Sequence, residues 1–367
     1  MEYTGIYIHI PFCRQKCPYC DFFSVPCVNT GFDAYTKALI QRIAEWGTKS
    51  SIKANTVYFG GGTPSLIPSH MLIEIISAIK HCFLLAEGSE ITLEMNPAEH
   101  TEVDLKSLYR NGFNRLSIGL QSADSNELAV LQRKHSVSDA QNLILEAKSA
   151  GFSNISLDLI IGIPGQTKQS LSKSIEFCRE YSVSHVSAYL LKIEPNTPFY
   201  LKQHELPFKN DDELADLYLF ASNMLEASKF HQYEISNFCL PGAESLHNLK
   251  YWSCDDYLGL GPSSHSFING KRFFYPNSFQ AFYDNQIILE DSDPQTEYVM
   301  MQLRLRNGLT NNGFQKKFNK PIPDIYFQRA GPYEKLGFLI IDKNSIRLTK
   351  TGFLVSNIII GDLLTSS

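Results

Sequence analysis

Three cysteines lie close together near the start of the chain, in the segment CRQKCPYC at residues 13–20. Zinc or an iron–sulfur cluster could bind Cys13, Cys17 and Cys20, and a structural zinc site needs four nitrogen or sulfur ligands. His9 could be a fourth zinc ligand, but so short a segment wraps poorly around one ion. A 4Fe-4S cluster takes one thiolate per iron, so three cysteines would leave one iron open to a small molecule. We therefore favour a cluster over zinc and over unpaired surface thiols, which would be a redox liability.

The elements that must position these cysteines are predicted by short β-rich runs that alternate with longer helical patterns. The predicted strands are 6–10, 56–60, 90–95, 115–121, 154–161 and 185–192. Six strand–helix units in succession imply parallel strands with right-handed crossovers. Such strands form either a doubly wound open sheet or a barrel.

The position of the unusual residues decides between these two architectures. The cysteines follow the first strand, GGGTPS (60–65) follows the second, and Glu94, Gln121 and Asp158 lie in or at the ends of the next three. A barrel gathers all its strand ends at one mouth, whereas a doubly wound sheet gathers only those at its switch point. The pattern therefore predicts an α/β fold, a partial (β/α)6 barrel of the TIM-like kind.

The remaining sequence predicts two further regions beyond a barrel at 1–210. Residues 211–290 are predicted to extend the barrel and carry the segment HNLKYW (247–252). Residues 291–367 read as helices, a hairpin turning at Lys343–Asn344 and one closing helix that begins after Thr349. This order predicts a small winged-helix-like domain. Its 10 Lys and Arg against 7 Asp and Glu do not favour nucleic-acid binding, so we predict packing or partner docking instead.

Composition restricts the class of protein. The 367 residues are 43% hydrophobic, with a formal net charge of -5 and no basic run typical of nucleic-acid or membrane-surface binding. No apolar run is long enough to span a bilayer, and the start MEYTGIYIHI lacks the features of a secretory signal. We predict a cytoplasmic protein whose other five cysteines are ordinary thiols, without a transmembrane segment or a nucleic-acid partner.

The C-x3-C-x2-C spacing after a first barrel strand resembles that of the radical S-adenosylmethionine superfamily. The similarity is closer to the oxygen-independent coproporphyrinogen III oxidase family, and it covers most of the first 200 residues. The segments that show this similarity are YIHIPFC (7–13), CPYCDFFS (17–24), YFGGGTPS (58–65), LEMNP (93–97), RLSIGLQS (115–122), LDLIIGIPGQT (157–167) and IEPNTP (193–198). The resemblance implies that S-adenosylmethionine chelates the open iron and is cleaved to a radical after accepting one electron.

The resemblance also implies which residues contact the cosubstrate. Glycines allow the backbone to approach a ligand closely, and a carboxylate accepts charge-assisted hydrogen bonds from an ammonium or a ribose. The residues implied are Tyr7, Tyr19, Gly61, Gly62, Thr63, Glu94, Gln121, Arg133 and Asp158. Each also has a structural alternative: a tight turn for the glycines, a solvated charge for Glu94, a surface helix position for Arg133 and core packing for the tyrosines. Asp158, inside an apolar strand, needs a polar partner in any case.

Two departures from the oxidases point to a haem chaperone branch of the same family. The oxidases carry a further cysteine where this chain has Phe22, and a long segment before the barrel where this chain begins its first strand within a few residues of Met1. We therefore expect no lid from that end. The segment HNLKYW matches the H-N-x-x-Y-W motif of the chaperone branch, although the branch more often has Asn at the position of Phe23.

His247 is the candidate axial ligand of haem in that motif, because neutral imidazole binds haem iron and the flanking Tyr251 and Trp252 could stack on a porphyrin. The alternative is a structural histidine with two packing aromatics. We predict a protein that binds a 4Fe-4S cluster, S-adenosylmethionine and haem, and passes haem to client haemoproteins. An anaerobic coproporphyrinogen III oxidase is the second hypothesis, and a docking protein with a vestigial cluster site is the third.

Overall fold

The computed structural model describes residues 3–27, 31–49, 52–100 and 103–365. Its strands are β1 (Thr4–Ile10), β2 (Phe12–Cys13), β3 (Val25–Pro26), β4 (Lys53–Gly61), β5 (Leu84–Met95), β6 (Arg115–Gln121), β7 (Asn154–Ile161), β8 (His185–Leu190), β9 (His231–Gln232), β10 (Asn237–Cys239), β11 (Tyr257–Leu260), β12 (His265–Ile268), β13 (Lys271–Phe274), β14 (Ile288–Glu290), β15 (Leu309–Thr310), β16 (Leu339–Asp342) and β17 (Ser345–Leu348).

The helices connect and cover these strands. They are α1 (Phe32–Lys49), α2 (Ser69–Cys82), α3 (Leu105–Arg110), α4 (Ser125–Val130), α5 (Val137–Ala150), α6 (Lys168–Glu180), α7 (Pro198–Leu201), α8 (Asp211–Ala227), α9 (Leu246–Trp252), α10 (Phe279–Tyr283), α11 (Pro294–Gln302), α12 (Asn311–Phe318), α13 (Asp324–Lys335), α14 (Lys350–Leu354) and α15 (Ser356–Leu364). None of the described helices is long and apolar enough to cross a membrane.

The central sheet has the strand order of a barrel. Its order is β14-β13-β12-β11-β1-β4-β5-β6-β7-β8-β10-β9, and the run from β1 to β8 is parallel throughout. These six strands stand in chain order, whereas a doubly wound sheet would reverse its order at a switch point. Within the described residues the sheet ends at β14 and β9, so the barrel is open. The predicted partial (β/α)6 barrel is confirmed.

Side chains alternate between the two faces of this sheet. Ile6, Ile8 and Ile10 of β1 are fully buried in the hydrophobic core shared with the helix layer. The residues between apolar positions point to the barrel interior instead, where Ser117 of β6 and Asp158 of β7 line a cavity. Because successive residues of a strand face opposite sides, one face can pack against helices while the other carries polar chemistry.

Several helices behind the sheet begin at a side chain that caps their free N–H groups. Ser136 starts α5 with a capping box to Asp139, and Gly151 ends that helix with a positive φ of 111°. Thr167 and Asn210 start α6 and α8 in the same way. Such caps stabilise each helix end by about 1 kcal/mol and fix where the loops to the strands begin.

Residues 211–290 add strands to both edges of the barrel sheet. β10 pairs antiparallel with β8, while β11 pairs parallel with β1 and adds a strand that the sequence did not predict. Between these edges, α9 lies against the amino-terminal half of the barrel strands, where its His247 contacts Thr56 of β4. The HNLKYW segment therefore forms part of the base of the barrel, at the end opposite the strand ends that carry the cysteines.

The C-terminal residues form the winged-helix-like arrangement. β15, β17 and β16 make a three-stranded sheet, and the hairpin turns at Lys343 and Asn344 as predicted. Thr349 caps α14 by accepting a hydrogen bond from Gly352 N. The prediction of one closing helix was wrong, because the helix is interrupted at Val355 and resumes as α15. The two predicted boundaries, after residues 210 and 290, stay predictions.

Candidate functional site

One cavity of about 440 Å³ opens at the carboxyl ends of the barrel strands. Two of the predicted site residues, Tyr7 and His247, are outside its lining. The predicted residues that line it are Cys13, Cys17, Tyr19, Cys20, Gly61, Gly62, Thr63, Glu94, Gln121, Arg133 and Asp158. Residues from five strands and their loops thus meet at one mouth, as expected for a barrel.

The cysteine loop is held at both ends. A short parallel ladder pairs Phe12 with Val25 and Cys13 with Pro26, which closes the loop after β1. All three cysteines are free thiols of intermediate exposure. Burial raises the pKa of the Cys13 thiol, and it raises that of Cys20 to about 11. A metal that binds here must therefore displace thiol protons.

Two side chains reach the sulfur atoms of this loop. Arg133 Nη1 donates to Cys17 Sγ at 3.5 Å, and Thr63 Oγ1 donates to Cys13 Sγ at 3.6 Å. The second guanidinium nitrogen, Nη2, donates to Gly119 O at 3.1 Å. Arg133 therefore bridges the cysteine loop and β6, and it is not the exposed helix charge that was the alternative.

The glycine turn after β4 packs directly under the cysteine loop. Gly62 N donates to Ile10 O at 2.8 Å and Thr63 N donates to Phe12 O at 2.7 Å. A Cβ at Gly62 would lie 2.5 Å from Phe12 O, which no side chain permits. Gly61 adopts a positive φ of 113°, a conformation that favours glycine. The turn is thus a tight one that also presents backbone to the cavity.

Glu94 is already hydrogen-bonded in the cavity wall. Tyr58 OH donates to its Oε1 at 2.8 Å, and Gly61 N donates to its Oε2 at 3.2 Å. Burial and then the nearby Asp158 carboxylate raise the pKa of Glu94 to about 7. The pKa of Glu94 therefore lies close to neutral pH, and a cationic ligand beside it would stabilise the charged carboxylate.

Asp158 has the polar partner that its place in an apolar strand requires. Ser117 Oγ donates to Asp158 Oδ1 at 3.1 Å, and burial raises the pKa of Asp158 above its ordinary range. Gln121 ends β6 with a positive φ of 66°, where the register with β7 shifts. Both side chains face the cavity.

Tyr7 lies below the mouth and contacts His9 instead of the cavity. His9 Nε2 donates to Phe23 O at 3.0 Å, so the neutral ring accepts from Tyr7 OH at Nδ1, also at 3.0 Å. Burial lowers the pKa of His9, which agrees with a neutral ring. With both nitrogens occupied, His9 is unsuited to be the fourth zinc ligand that the sequence left open.

His247 is enclosed at the base of the barrel. Its side chain is 1% exposed, Nδ1 is 2.9 Å from Thr56 Oγ1, and Nε2 is 2.8 Å from Tyr251 OH. Burial lowers its pKa to about 3. Glu90 fixes the same helix by accepting from the backbone N of Leu246 and His247 at 3.0 and 2.9 Å. This geometry argues against the prediction that His247 ligates haem and favours the structural alternative.

Some residues of the cavity were missed from the sequence. Tyr58, Ser117, Tyr189 and Asn248 line it, as does Arg115, which is 1% exposed with Nε and Nη1 unpaired among the described residues. Strand alternation could have found Tyr58 and Ser117, since each lies two residues from a predicted site residue or glycine on the same strand face. Nothing in the local sequence of Asn248 indicates that α9 reaches the cavity floor.

Comparisons with known proteins identify the family of this chain. The chain matches the Radical SAM superfamily over residues 7–178 and the HemN C-terminal domain over residues 289–355. Heme chaperone HemW of Bacillus subtilis is 32% identical over 374 residues, which covers 98% of each protein. Heme chaperone HemW of Lactococcus lactis is 30% identical over 364 residues, covering 96% of this chain and 95% of the relative.

Among solved structures, the coproporphyrinogen III oxidase HemN of Escherichia coli, a radical SAM enzyme, superposes with a TM-score of 0.84 over 99% of this chain and 90% of that one. At 20% identity, that likeness concerns the fold alone. The curated relatives are similar almost from end to end and carry the more specific information. The chain therefore belongs to the HemW family of heme chaperones, within the radical SAM superfamily.

Proposed function

We propose that this protein is a haem chaperone that holds a 4Fe-4S cluster on Cys13, Cys17 and Cys20, binds S-adenosylmethionine in the barrel cavity and passes haem to client haemoproteins. The observation that carries the proposal is that three free thiols and polar side chains from several strands line one cavity. Since all eight cysteines are free, we infer a reducing compartment such as the cytoplasm.

The donor set fits a cluster better than a single ion. Among the described residues, no three His, Cys, Asp or Glu side chains converge closely enough to hold one metal ion. A zinc site requires such convergence, whereas a cubane spreads its thiolates over different irons. Cys13, Cys17 and Cys20 would hold the cluster at the edge of the cavity that Glu94 and the glycine turn also line. When bound, the cluster would supply one-electron chemistry.

The cavity fits a cosubstrate that carries both an ammonium and a carboxylate. Glu94 offers a buried carboxylate of raised pKa to a cation, and the Nε of Arg133 is buried without a partner among the described residues. Gly61 and Gly62 line the cavity, and the close approach of the His9 ring and of Phe12 O leaves no room for a Cβ at either position. Asp158 and Gln121 add polar groups across the cavity. These groups hold and orient the cosubstrate.

Haem binding is proposed at the mouth of the barrel. A cavity of about 440 Å³ is at the small end of the range for drug-sized ligands, so a porphyrin disc would have to lie across its opening. Exposed apolar side chains are found there: Phe22 is 64% exposed, and Tyr189 and Leu190 are 43% and 39% exposed. Lys16 and Lys192 line the same opening as cations for the propionates. Lys192 forms an ion pair with Glu194 at 2.5 Å, which a propionate would have to replace.

One experiment separates the chaperone from an oxidase. The reconstituted protein is incubated anaerobically with coproporphyrinogen III, S-adenosylmethionine and a reductant, and the porphyrins are analysed by chromatography. We expect no decarboxylated product, together with transfer of bound haem to an added apo-haemoprotein. Steady formation of protoporphyrinogen IX would establish the oxidase instead, and haem that never leaves the protein would overturn the chaperone.

A further inference from the structure

We propose that Arg133 sets the reduction potential of the cluster by donating a charged hydrogen bond to the Cys17 thiolate. The inference rests on the proposed cluster and adds a role for a residue that family resemblance places against the cosubstrate. In this role Arg133 acts through a cluster ligand and is a positioning residue, in addition to the contact with the cosubstrate proposed above.

Arg133 is fixed in place by two contacts of its guanidinium and one of its backbone. Nη1 donates to Cys17 Sγ at 3.5 Å and Nη2 donates to Gly119 O at 3.1 Å. The backbone N of Arg133 donates to Leu128 O at 2.9 Å, which anchors the segment just after α4. A planar fork held between a strand carbonyl and a thiol has little freedom to turn away.

No carboxylate neutralises this charge at close range. Among the described residues, Arg133 forms no ion pair within 4.0 Å, although the Tyr19 hydroxyl and the Glu99 carboxylate influence it from farther away. Its Nε is also buried without a partner there. An arginine side chain remains charged at any pH that the protein experiences. Cys17 Sγ is the side-chain atom to which the guanidinium donates, beside the backbone oxygen of Gly119.

A positive hydrogen-bond donor on a cluster thiolate favours the reduced cluster, because the added electron increases the negative charge on the sulfur atoms. Hydrogen bonds to sulfur and local charge are among the factors that set iron–sulfur potentials. Thr63 donates to Cys13 at 3.6 Å without a charge, so its effect should have the same direction and a smaller size. Arg133 should thus raise the potential the most.

The test is a dithionite titration of the anaerobically reconstituted protein, without S-adenosylmethionine, followed by electron paramagnetic resonance. We expect the midpoint potential of R133M to become clearly more negative, that of T63V to shift less in the same direction, and that of R133K to stay closer to wild type. Lys134 is the matched control, since it is adjacent and exposed. K134M should keep the wild-type potential.

The outcomes separate this inference from the proposed function. A wild-type protein that takes up zinc, or no iron, would overturn the cluster itself. A loaded R133M with the wild-type potential would overturn only the role of Arg133. If R133M fails to load iron, the same titration is performed on R133Q, which is neutral but keeps an amide donor. A potential below that of wild type supports the inference, and an unchanged potential contradicts it.

Discussion

Polar side chains at the mouth of the barrel lie beside open space, whereas those at its base are enclosed. At the mouth, three free thiols, a buried carboxylate of raised pKa and an unpaired Arg133 Nε surround open space. At the base, His247 has a hydrogen-bond partner on each ring nitrogen, and Glu90 accepts two backbone N–H groups of α9. The polar groups of the mouth therefore combine hydrogen bonds within the protein with a position beside open space, whereas those around His247 are enclosed and stabilise the fold.

This difference changes the meaning of the HNLKYW segment. In the sequence, a histidine beside two aromatics indicates a haem ligand. In the structure, the centre of the histidine ring lies 5.2 Å from that of Tyr58 and 6.4 Å from that of Tyr7, so the helix closes the barrel below the cavity. A motif can therefore mark a ligand-binding family and still act by packing.

The largest effect is expected at the mouth. Replacing Cys17 with Ala should reduce the iron bound after anaerobic reconstitution from about four per chain to nearly none, because one corner of the cubane loses its ligand. Iron analysis gives the stoichiometry, and urea unfolding should show almost unchanged stability. Cys27→Ser, a nearby cysteine outside the cavity, is the control and should keep its iron. Full iron in Cys17→Ala would contradict the assignment.

The next effect is expected at the base, on stability. His247→Ala should lower the free energy of unfolding by about 2–4 kcal/mol, because it creates a cavity and leaves the buried Thr56 and Tyr251 hydroxyls unpaired. Urea unfolding measures the loss. Asn248→Ala, on the same helix but facing the cavity, is the matched control and should cost about 1 kcal/mol or less. Equal stability of the two variants would contradict the structural role of His247.

A smaller effect is expected on the pH dependence of cosubstrate binding at the mouth. Glu94 has a pKa of about 7, raised from its ordinary value, so it is largely neutral below pH 7 and charged above it. A cationic cosubstrate needs the charged form, so its affinity should fall about tenfold between pH 8 and pH 6. Calorimetric titration measures this slope. Glu94→Gln should bind the cosubstrate more weakly and lose the pH dependence. An unchanged pH dependence in that variant would mean that another group causes it.

The raised pKa of Glu94 should also make stability fall as pH rises, whereas affinity for the cosubstrate rises. Because the folded pKa of Glu94 exceeds its unfolded value, the folded protein without ligand binds the extra proton, and this contribution to stability is lost as pH rises from about 4.5 to 7. Urea unfolding across that range should show a flatter pH profile for Glu94→Gln than for wild type. Parallel profiles would show that ligand-free Glu94 does not titrate near neutrality.

The smallest effect concerns the support of Asp158. Ser117→Ala removes the hydroxyl that donates to Asp158 Oδ1, and should weaken cosubstrate binding only several-fold, equivalent to about 1 kcal/mol. The same calorimetric titration checks it. Ser172→Ala, at a partly exposed position on α6 outside the cavity lining, serves as the control and should leave affinity unchanged. A loss as large as that of Glu94→Gln would mean that Ser117 contacts the ligand itself.

Local patterns predicted the barrel and its mouth, and the family resemblance supplied most of the residues expected there. Each of the six predicted strands forms, and eleven of the thirteen predicted site residues line one cavity, because strand ends in a barrel converge regardless of loop detail. The cysteine spacing and the glycine turn are also local features. What these residues bind stays a prediction.

Long-range contacts explain what the sequence could not show. The partner of His247 on β4 is 191 residues away, so neither its burial nor its hydrogen bonds follow from nearby residues. β11 was missed because YLGL has only four residues and contains a glycine, although β1 pairs with it in parallel. The break at Val355 falls in an apolar run that reads as one helix.

The most direct test of the contrast between mouth and base is an anaerobic haem titration of wild type and His247→Ala, followed by the Soret absorbance. It is performed at low temperature, where circular dichroism shows both proteins folded. We predict the same haem affinity and the same spectrum, with a full iron complement in each. A folded, iron-loaded His247→Ala that no longer binds haem would contradict the account and make the barrel base the haem site.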